Sequence, residues 1–198
     1  MTIAYAMGKG LYLNITNRCP CRCDFCIRSK VDALGTADSL WLDHEPTMAE
    51  IEAELAKIDW RLYEEVIFCG YGEPLSRYQE VVAICDKIHE QTEIPIRINT
   101  NGLANLIHKV QVIDALVGKV DAISVSLNAP NAKRYVEICH PAFGEQSFQA
   151  MLDFTKYAKD KISAVTMSVV DVLAPEEIEA CRAIAEEIGV GFRVRACF

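Results

Sequence analysis

Residues 10–26 read GLYLNITNRCPCRCDFC, and this stretch sets the architecture that we expect for the whole chain. Its first part, Gly10 to Ile15, is a short apolar segment of the kind that forms a buried strand. The loop after it contains three cysteines in the spacing C-x3-C-x2-C, namely Cys19, Cys23 and Cys26. The aromatic Phe25 stands directly before the last of them. The pattern therefore places three thiols at the carboxyl end of a predicted strand.

Three thiolates on one short loop suit an iron–sulfur cluster. Cysteine sulfurs normally hold such clusters, so Cys19, Cys23 and Cys26 can bind three irons of a [4Fe–4S] cluster. A fourth iron without a protein ligand would be open to a substrate or cofactor, as an open position marks a catalytic zinc site. On this interpretation the three cysteines are the metal ligands of a catalytic centre.

Two other interpretations of the cysteines stay open. Cys21 lies inside the motif, and four thiols together can form a tetrahedral zinc site, although zinc ligands usually come as pairs set well apart in sequence. Disulfides are the second alternative, but the chain has 9 cysteines, an odd number. The segment from Met1 to Lys9 also lacks the apolar region of a signal peptide. Because disulfides are rare in the cytosol, we expect free thiols in a cytoplasmic protein.

The composition is that of an ordinary globular protein. The chain has 198 residues, of which 51% are hydrophobic and 24% charged, and this predicts one domain over residues 1–198 with a sizeable core. The net charge of −8 argues against broad nucleic-acid binding, which requires a basic face. No apolar run reaches the roughly 18 residues of a membrane span, so we expect no membrane association.

Strand and helix patterns alternate along the chain and form six β/α repeats. Capping boxes at residues 47–50 and 76–79 mark two helix starts, and residues 103–117 are predicted as one helix. The strands are too continuously apolar for a sheet with one exposed face, which implies a parallel sheet covered by helices. Six units are fewer than the eight of a closed barrel. We therefore predict an α/β fold, an open (β/α)6 partial TIM barrel with outer helices and a site at the carboxyl ends of the strands.

A glycine-rich turn follows the second predicted strand, and its residues are Gly70, Tyr71, Gly72, Glu73 and Pro74. A turn at a strand end brings backbone carbonyls and a carboxylate close to a cationic ammonium group, and glycines permit that approach. We therefore predict all five as cofactor-binding residues, with an ordinary β-to-α turn as the alternative. The next turn, residues 99–102, is either a second binding turn or a common turn rich in Asn and Gly.

Polar side chains also end the fourth and fifth predicted strands. Ser124, Ser126 and Asn128 share one face, and polar groups inside a parallel sheet cost free energy unless they are hydrogen-bonded. This predicts a polar ligand, with Ser126 and Asn128 as its contacts. Asp171 is either an acceptor for ribose hydroxyls or a loop carboxylate near a helix cap.

Two arginines and three further cysteines belong near the same edge. Arg193 and Arg195 alternate on the last strand, and we expect them to face differently, each meeting an acidic group or remaining solvated. The other cysteines near this edge, which have no assigned role, are Cys69, Cys139 and Cys197.

The cysteine run, with its aromatic residue before the last cysteine, resembles the radical S-adenosylmethionine (SAM) superfamily. The resemblance implies a [4Fe–4S] cluster held by Cys19, Cys23 and Cys26, whose open iron binds the amino and carboxylate groups of SAM. Reductive cleavage of SAM then yields a 5′-deoxyadenosyl radical, which abstracts hydrogen from a substrate. Residues 70–74 resemble the GGEP motif of that family, which contacts the SAM amino group, with Tyr71 in place of a glycine.

A finer resemblance rests on residues 16–28, 70–74, 126–129, 135–141 and 193–195, which look like the small TatD-associated radical SAM proteins. It implies a functional link to a TatD-like hydrolase and an electron donor such as flavodoxin or ferredoxin. The compact plan, shared with glycyl-radical activating enzymes, implies a protein or peptide substrate. The alternative from the residues is a non-catalytic iron–sulfur or zinc module for electron transfer or interaction. Such a module has no need of the turn at residues 70–74.

Overall fold

The computed structural model describes residues 1–197, whose centre is one sheet of 7 strands in sequence order. The strands are β1 (Ala4–Met7), β2 (Gly10–Leu13), β3 (Glu65–Phe68), β4 (Ile96–Thr100), β5 (Ala122–Ser126), β6 (Ala164–Val170) and β7 (Gly191–Arg195). Each of β2 to β6 pairs in parallel with the next strand, whereas β1 pairs antiparallel with β2. In the described chain β1 and β7 do not pair with each other, so the sheet is open. The six parallel strands confirm the predicted fold, to which β1 adds an edge strand.

Seven α-helices among the described residues connect and cover the strands. They are α1 (Met48–Leu55), α2 (Tyr78–His89), α3 (Ala104–His108), α4 (Ile113–Leu116), α5 (Ala132–Cys139), α6 (Gln146–Lys159) and α7 (Pro175–Ile188). The Thr47 capping box that begins α1 is confirmed. The predicted box at 76–79 is wrong, because residues 74–77 form a 3-10 turn whose cap is the Glu73 side chain. None of these helices is long and apolar enough to cross a membrane.

One predicted helix, residues 103–117, is divided in the structure. Lys109 adopts a left-handed conformation, with φ of 58°, and such a residue ends a helix. The chain therefore forms α3 and α4 with a short turn between them.

The two faces of the sheet differ in character. Side chains such as Ile98, Val125 and Met167 pack against the helices in one hydrophobic core. Because side chains alternate along a strand, the intervening residues lie on the opposite side, here called the inner face. From β3 to β7 the inner face carries these polar side chains: Glu65, Arg97, Asn99, Ser124, Ser126, Thr166, Ser168, Arg193 and Arg195.

The segment after the cysteine loop covers one half of the inner face. Leu34, Ala37 and Leu40 pack on Tyr5 of β1 and Tyr12 of β2 in a small apolar cluster. The other half retains a cavity of about 260 Å³, lined by Glu65, Arg97, Ala122, Ile123, Ser124, Thr166 and Arg193. The inner face is thus apolar and covered beside β1 and β2, but polar and open towards β7.

Candidate functional site

The cysteine loop lies at the carboxyl end of β2 and is fastened to the end of α5. Backbone hydrogen bonds run from Arg22 N to Cys139 O at 3.0 Å and from Asp24 N to Ile138 O at 3.0 Å. A third joins Ala142 N to Pro20 O at 2.8 Å. The loop is therefore held against a helix that lies more than a hundred residues further along the chain.

Three of the loop thiols form one group. Cys19, Cys21 and Cys23 interact with one another, and the Cys23 sulfur lies 3.8 Å from the Cys139 carbonyl oxygen. The Cys21 thiol, followed by burial, raises the pKa of Cys19, and the Cys139 contact, helped by burial, raises the pKa of Cys23. The thiols are therefore protonated at neutral pH until a metal displaces their protons.

Cys26 is joined to this group through the backbone. Its N–H donates to Cys23 O at 3.1 Å. The structure thus brings two of the three predicted ligands, Cys19 and Cys23, together with Cys21.

The donors on this loop fit an iron–sulfur cluster by their chemistry. A zinc site needs four donors within about 2.3 Å of one centre, and no three or more His, Cys, Asp or Glu side chains of residues 1–197 have such an arrangement. An iron–sulfur cluster instead takes separate thiolates at separate irons, so its ligands need not meet at one point. None of the 9 cysteines forms a disulfide within the described structure.

The turn at residues 70–74 packs directly on the cysteine loop. Glu73 N donates to Arg18 O at 2.7 Å. A Cβ atom on Gly72 would lie 2.7 Å from Arg18 O and closer still to Thr16 O. A Cβ on Gly70 would clash with Asn14 Oδ1 and lie 2.6 Å from Asn14 Cγ. Gly72 therefore requires glycine because of a close backbone approach, and Gly70 because of the Asn14 side chain. These contacts join the two predicted binding segments into one unit.

Tyr71 is held by the segment that follows the cysteines. Its side chain is buried, its hydroxyl donates to the Val31 carbonyl, and its ring meets Trp41 edge-on at 5.1 Å. Tyr71, which stands where the GGEP motif has a glycine, thus holds the segment after the cysteine loop in place over the inner face. Cofactor binding by Tyr71 stays a prediction, and it would use the backbone of Tyr71 because the side chain is engaged elsewhere.

Glu73 braces two turns. Its buried carboxylate accepts hydrogen bonds from Leu75 N at 3.0 Å, Thr100 Oγ1 at 2.8 Å and Asn101 N at 2.7 Å. Burial raises its pKa to about 7, although these hydrogen bonds act in the opposite direction. Pro74 starts the buried 3-10 turn behind it. A buried carboxylate at this position can also stabilise a nearby cation.

The raised pKa of Glu73 makes the stability of the protein depend on pH. The folded state holds this proton more tightly than the unfolded chain, so its contribution is present below about pH 4.5 and is lost as the pH rises through about 7. Relative to Glu73→Gln, we expect the unfolding free energy of the metal-free wild type to fall by up to about 3 kcal/mol between pH 4.5 and 8. Urea unfolding at several pH values measures this. A wild-type-minus-variant difference that is constant with pH would contradict it.

Asn101 lies beside the thiols, in the turn at residues 99–102 whose role the sequence left open. Its side-chain amide nitrogen lies 3.8 Å from the Cys19 sulfur and 3.9 Å from the Cys21 sulfur, in position to donate to both. The Tyr135 hydroxyl also lies 3.9 Å from the Cys21 sulfur. Only the position of Asn101 at the end of a strand pointed to such a role. Donors of this kind tune the potential of sulfur-ligated metal centres.

The Asn101 contact predicts a redox effect. An N–H donor stabilises the more negative, reduced state of a thiolate-bound cluster, so we expect Asn101→Leu to lower its midpoint potential. Asn105→Leu on α3, where the side chain contacts Gln111 and Val112 N instead of the thiols, is the control and should leave the potential unchanged. Redox titration followed by electron paramagnetic resonance (EPR) measures both. An unchanged potential in Asn101→Leu would mean that the amide does not reach the ligands once they bind metal.

The residues predicted on β5 occupy two environments. Asn128 is buried, has a φ of 55°, and its Oδ1 has no hydrogen-bond partner among residues 1–197. An orphaned buried acceptor is costly, and a hydroxyl or ammonium donor of a bound cofactor would satisfy it. Ser126 Oγ lies 3.5 Å from Arg195 Nη2 on the inner face. Cofactor binding by either residue stays a prediction.

The ends of β6 and β7 require one correction. Asp171 is exposed and its Oδ1 accepts from Cys197 N at 2.6 Å, so it joins the two strand ends, and its contact with ribose stays a prediction. The expectation that Arg193 and Arg195 face differently is wrong. Residues two apart on a strand share a face, and both arginines lie on the inner face, beside Thr166 and Ser126 respectively.

Comparison with known proteins gives one family. The family model described as the Radical SAM superfamily matches residues 13–188. The probable GTP 3′,8-cyclase of Methanocaldococcus jannaschii is 29% identical over 184 residues, which cover 89% of this chain and 56% of that protein. The chain thus spans little more than half the length of this curated relative.

Two solved structures share the fold. Streptococcus suis SuiB bound to S-adenosylmethionine has a TM-score of 0.71 at 18% identity, covering 97% of this chain and 41% of that one. A radical SAM methyltransferase from Sphaerobacter thermophilus has a TM-score of 0.68 at 17% identity, covering 98% and 57%. At these identities the likeness is one of fold, an open α/β sheet with outer helices.

Proposed function

The chain belongs to the radical SAM superfamily of enzymes, and from this premise we propose that it cleaves SAM at a [4Fe–4S] cluster bound by Cys19, Cys23 and Cys26. When bound, the cluster and SAM supply a 5′-deoxyadenosyl radical that removes hydrogen from a substrate. The observation that carries the proposal is the contact between the cysteine loop and the turn at residues 70–74. It places a thiol group, a glycine-lined turn and the buried Glu73 carboxylate side by side.

Different groups of the protein serve SAM binding and the exclusion of water. The turn at residues 70–74 offers backbone acceptors for the SAM ammonium group, and the negative charge of Glu73 behind it favours that cation. The unpartnered Asn128 Oδ1 offers another acceptor at the end of β5, and Ser126 and Asp171 extend the polar contacts along the strand ends. The apolar cluster of Tyr5, Leu40 and Tyr71 keeps water from the β1–β2 half of the inner face.

Anaerobic reconstitution with iron and sulfide tests the proposal. We expect an EPR signal of a reduced [4Fe–4S] cluster that changes when SAM is added, and 5′-deoxyadenosine formed under dithionite. Stoichiometric zinc, or a fully ligated cluster that is indifferent to SAM, would instead support the non-catalytic electron-transfer or interaction module.

The partners belong to the same proposal. We place the chain among the small TatD-associated proteins on the motifs quoted above, with a TatD-like hydrolase as functional neighbour and flavodoxin or ferredoxin as electron donor. Residues 1–198 act as one catalytic domain in the cytoplasm. One relative is named as a probable GTP 3′,8-cyclase, and SuiB has been solved with a precursor peptide. Because these names indicate different substrate classes, the substrate of this chain has to be inferred from its own inner face. A protein or peptide is the proposed substrate.

A further inference from the structure

The open half of the inner face has a positive charge that residues 1–197 do not balance. Arg97 forms a two-pronged ion pair with Glu65, with both N···O distances at 2.8 Å. Arg193 and Arg195 on β7 form no ion pair within residues 1–197. Two adjacent cations therefore lack counter-charges among the described residues, although the net charge of the chain is −8.

Arg195 is placed at a cost in free energy. Its Nε is buried without a hydrogen-bond partner in the described chain, and its Nη2 has one contact, to Ser126 Oγ at 3.5 Å. Burial lowers its pKa, and the neighbouring charge of Arg193 acts in the same direction. Because a buried charge without partners is destabilising, the arrangement calls for an anion from outside the described residues.

The surroundings of the two arginines suit an oxyanion. Arg193 lines the cavity of about 260 Å³ together with the hydroxyl-bearing Ser124 and Thr166. Ser168 lies opposite Arg193 in the pairing of β6 with β7. Guanidinium groups bind carboxylate and phosphate through two parallel hydrogen bonds, and the hydroxyls add further donors. Glu65, the acidic group that lines this cavity, is already occupied by Arg97.

The position relative to the thiols selects the ligand. Arg195 reaches Ser126 at the carboxyl end of β5, so the arginines lie at the same end of the parallel strands as the cysteine loop, although they belong to the far edge strand. The acceptors proposed for SAM lie at the ends of β3, β5 and β6, and Ser126 among them is also the contact of Arg195. We infer that Arg193 and Arg195 bind a phosphate or carboxylate group of the substrate on the inner face, beside the cysteine loop. Naming that ligand as the substrate rests on the proposed function.

Anion binding by the full-length protein tests this inference without turnover. Inorganic pyrophosphate and malonate serve as phosphate and carboxylate probes, and isothermal titration calorimetry gives their dissociation constants. We expect at least one probe to bind the wild type, and to bind at least tenfold more weakly to Arg193→Gln/Arg195→Gln. Arg61→Gln removes the same charge at an exposed site paired with Asp59, and it should bind like the wild type. The probe with the lower dissociation constant shows whether the site prefers a phosphate or a carboxylate.

Three results would overturn the inference. The first is that neither probe binds the wild type, and the second is equal binding by the double variant. The third is a SAM-dependent EPR change that the double variant loses, which would assign the arginines to SAM. Arg193→Gln, at an exposed position, keeps the binding test available if the double variant does not fold. If the wild-type protein binds the probe but never cleaves SAM, the proposed function is refuted, whereas the anion-binding site is still supported.

Discussion

Replacing Cys23 with serine is expected to abolish the [4Fe–4S] signal and the formation of 5′-deoxyadenosine, whereas the same change at Cys21 leaves both largely intact. A cluster iron loses its thiolate in the first variant, and the oxygen of serine is a poor substitute for the soft sulfur ligand. Cys21 belongs to the same thiol group and is more buried than Cys23, so it is the control for the loss of a thiol from the same surroundings. Iron and sulfide content, EPR and product analysis measure the outcome.

The comparison decides which thiols bind iron. The contacts of the metal-free structure favour Cys19, Cys21 and Cys23, whereas the motif favours Cys19, Cys23 and Cys26. Equal losses in the Cys21 and Cys23 variants, with Cys26→Ser unaffected, would overturn the motif assignment. Loss in Cys26→Ser, with Cys21→Ser unaffected, would support the motif assignment.

The second large effect is expected at Gly72, where alanine should destabilise the fold by about 3 kcal/mol and prevent cluster assembly. The added Cβ would meet the backbone carbonyls of Thr16 and Arg18, and neither can give way without displacing the cysteine loop. The loss therefore affects both stability and the metal site. Urea unfolding of the metal-free protein and iron content after reconstitution measure the two effects separately.

Gly118→Ala is the control for this change. Gly118 has a φ of 72°, but a Cβ there would meet nothing within 4 Å. The cost is therefore only that of a left-handed backbone, about 1 to 2 kcal/mol, and iron uptake should be normal. If Gly72→Ala assembles the cluster as well as Gly118→Ala does, the close packing of the turn on the loop is not essential.

The parallel part of the fold could be predicted because its signals are local. The strand residues that face the helices are apolar, and helices read by their period. The edge strand β1, Ala4–Met7, was missed because it depends on antiparallel pairing with β2 across the turn at Gly8, which an apolar pattern does not show. The division between α3 and α4 depends on the left-handed backbone of Lys109, which no apolar pattern reports.

The candidate site was predictable in its segments but not in its contacts. The cysteine loop and the turn at residues 70–74 were identified from spacing. Their contacts were not, because the glycines of the turn allow its close packing on the loop and its tyrosine holds the segment that covers the inner face. The contacts of Asn101 and Cys139 with the thiols join residues 80 or more positions apart. Only the folded sheet brings such residues together. The shared face of the two arginines, in contrast, follows from strand geometry alone.

The strand order has a consequence for how the protein is made. Every strand pairs only with its neighbours in sequence, so the sheet can grow strand by strand as the chain leaves the ribosome. The cysteine loop emerges after the first hairpin, but Asn101 follows Cys19 by 82 residues. At a synthesis rate of about 5–20 residues per second, that interval lasts roughly 4–16 seconds. During this time the nascent thiols are open to oxygen and stray metals, so maturation of the centre has to follow translation of at least half the chain.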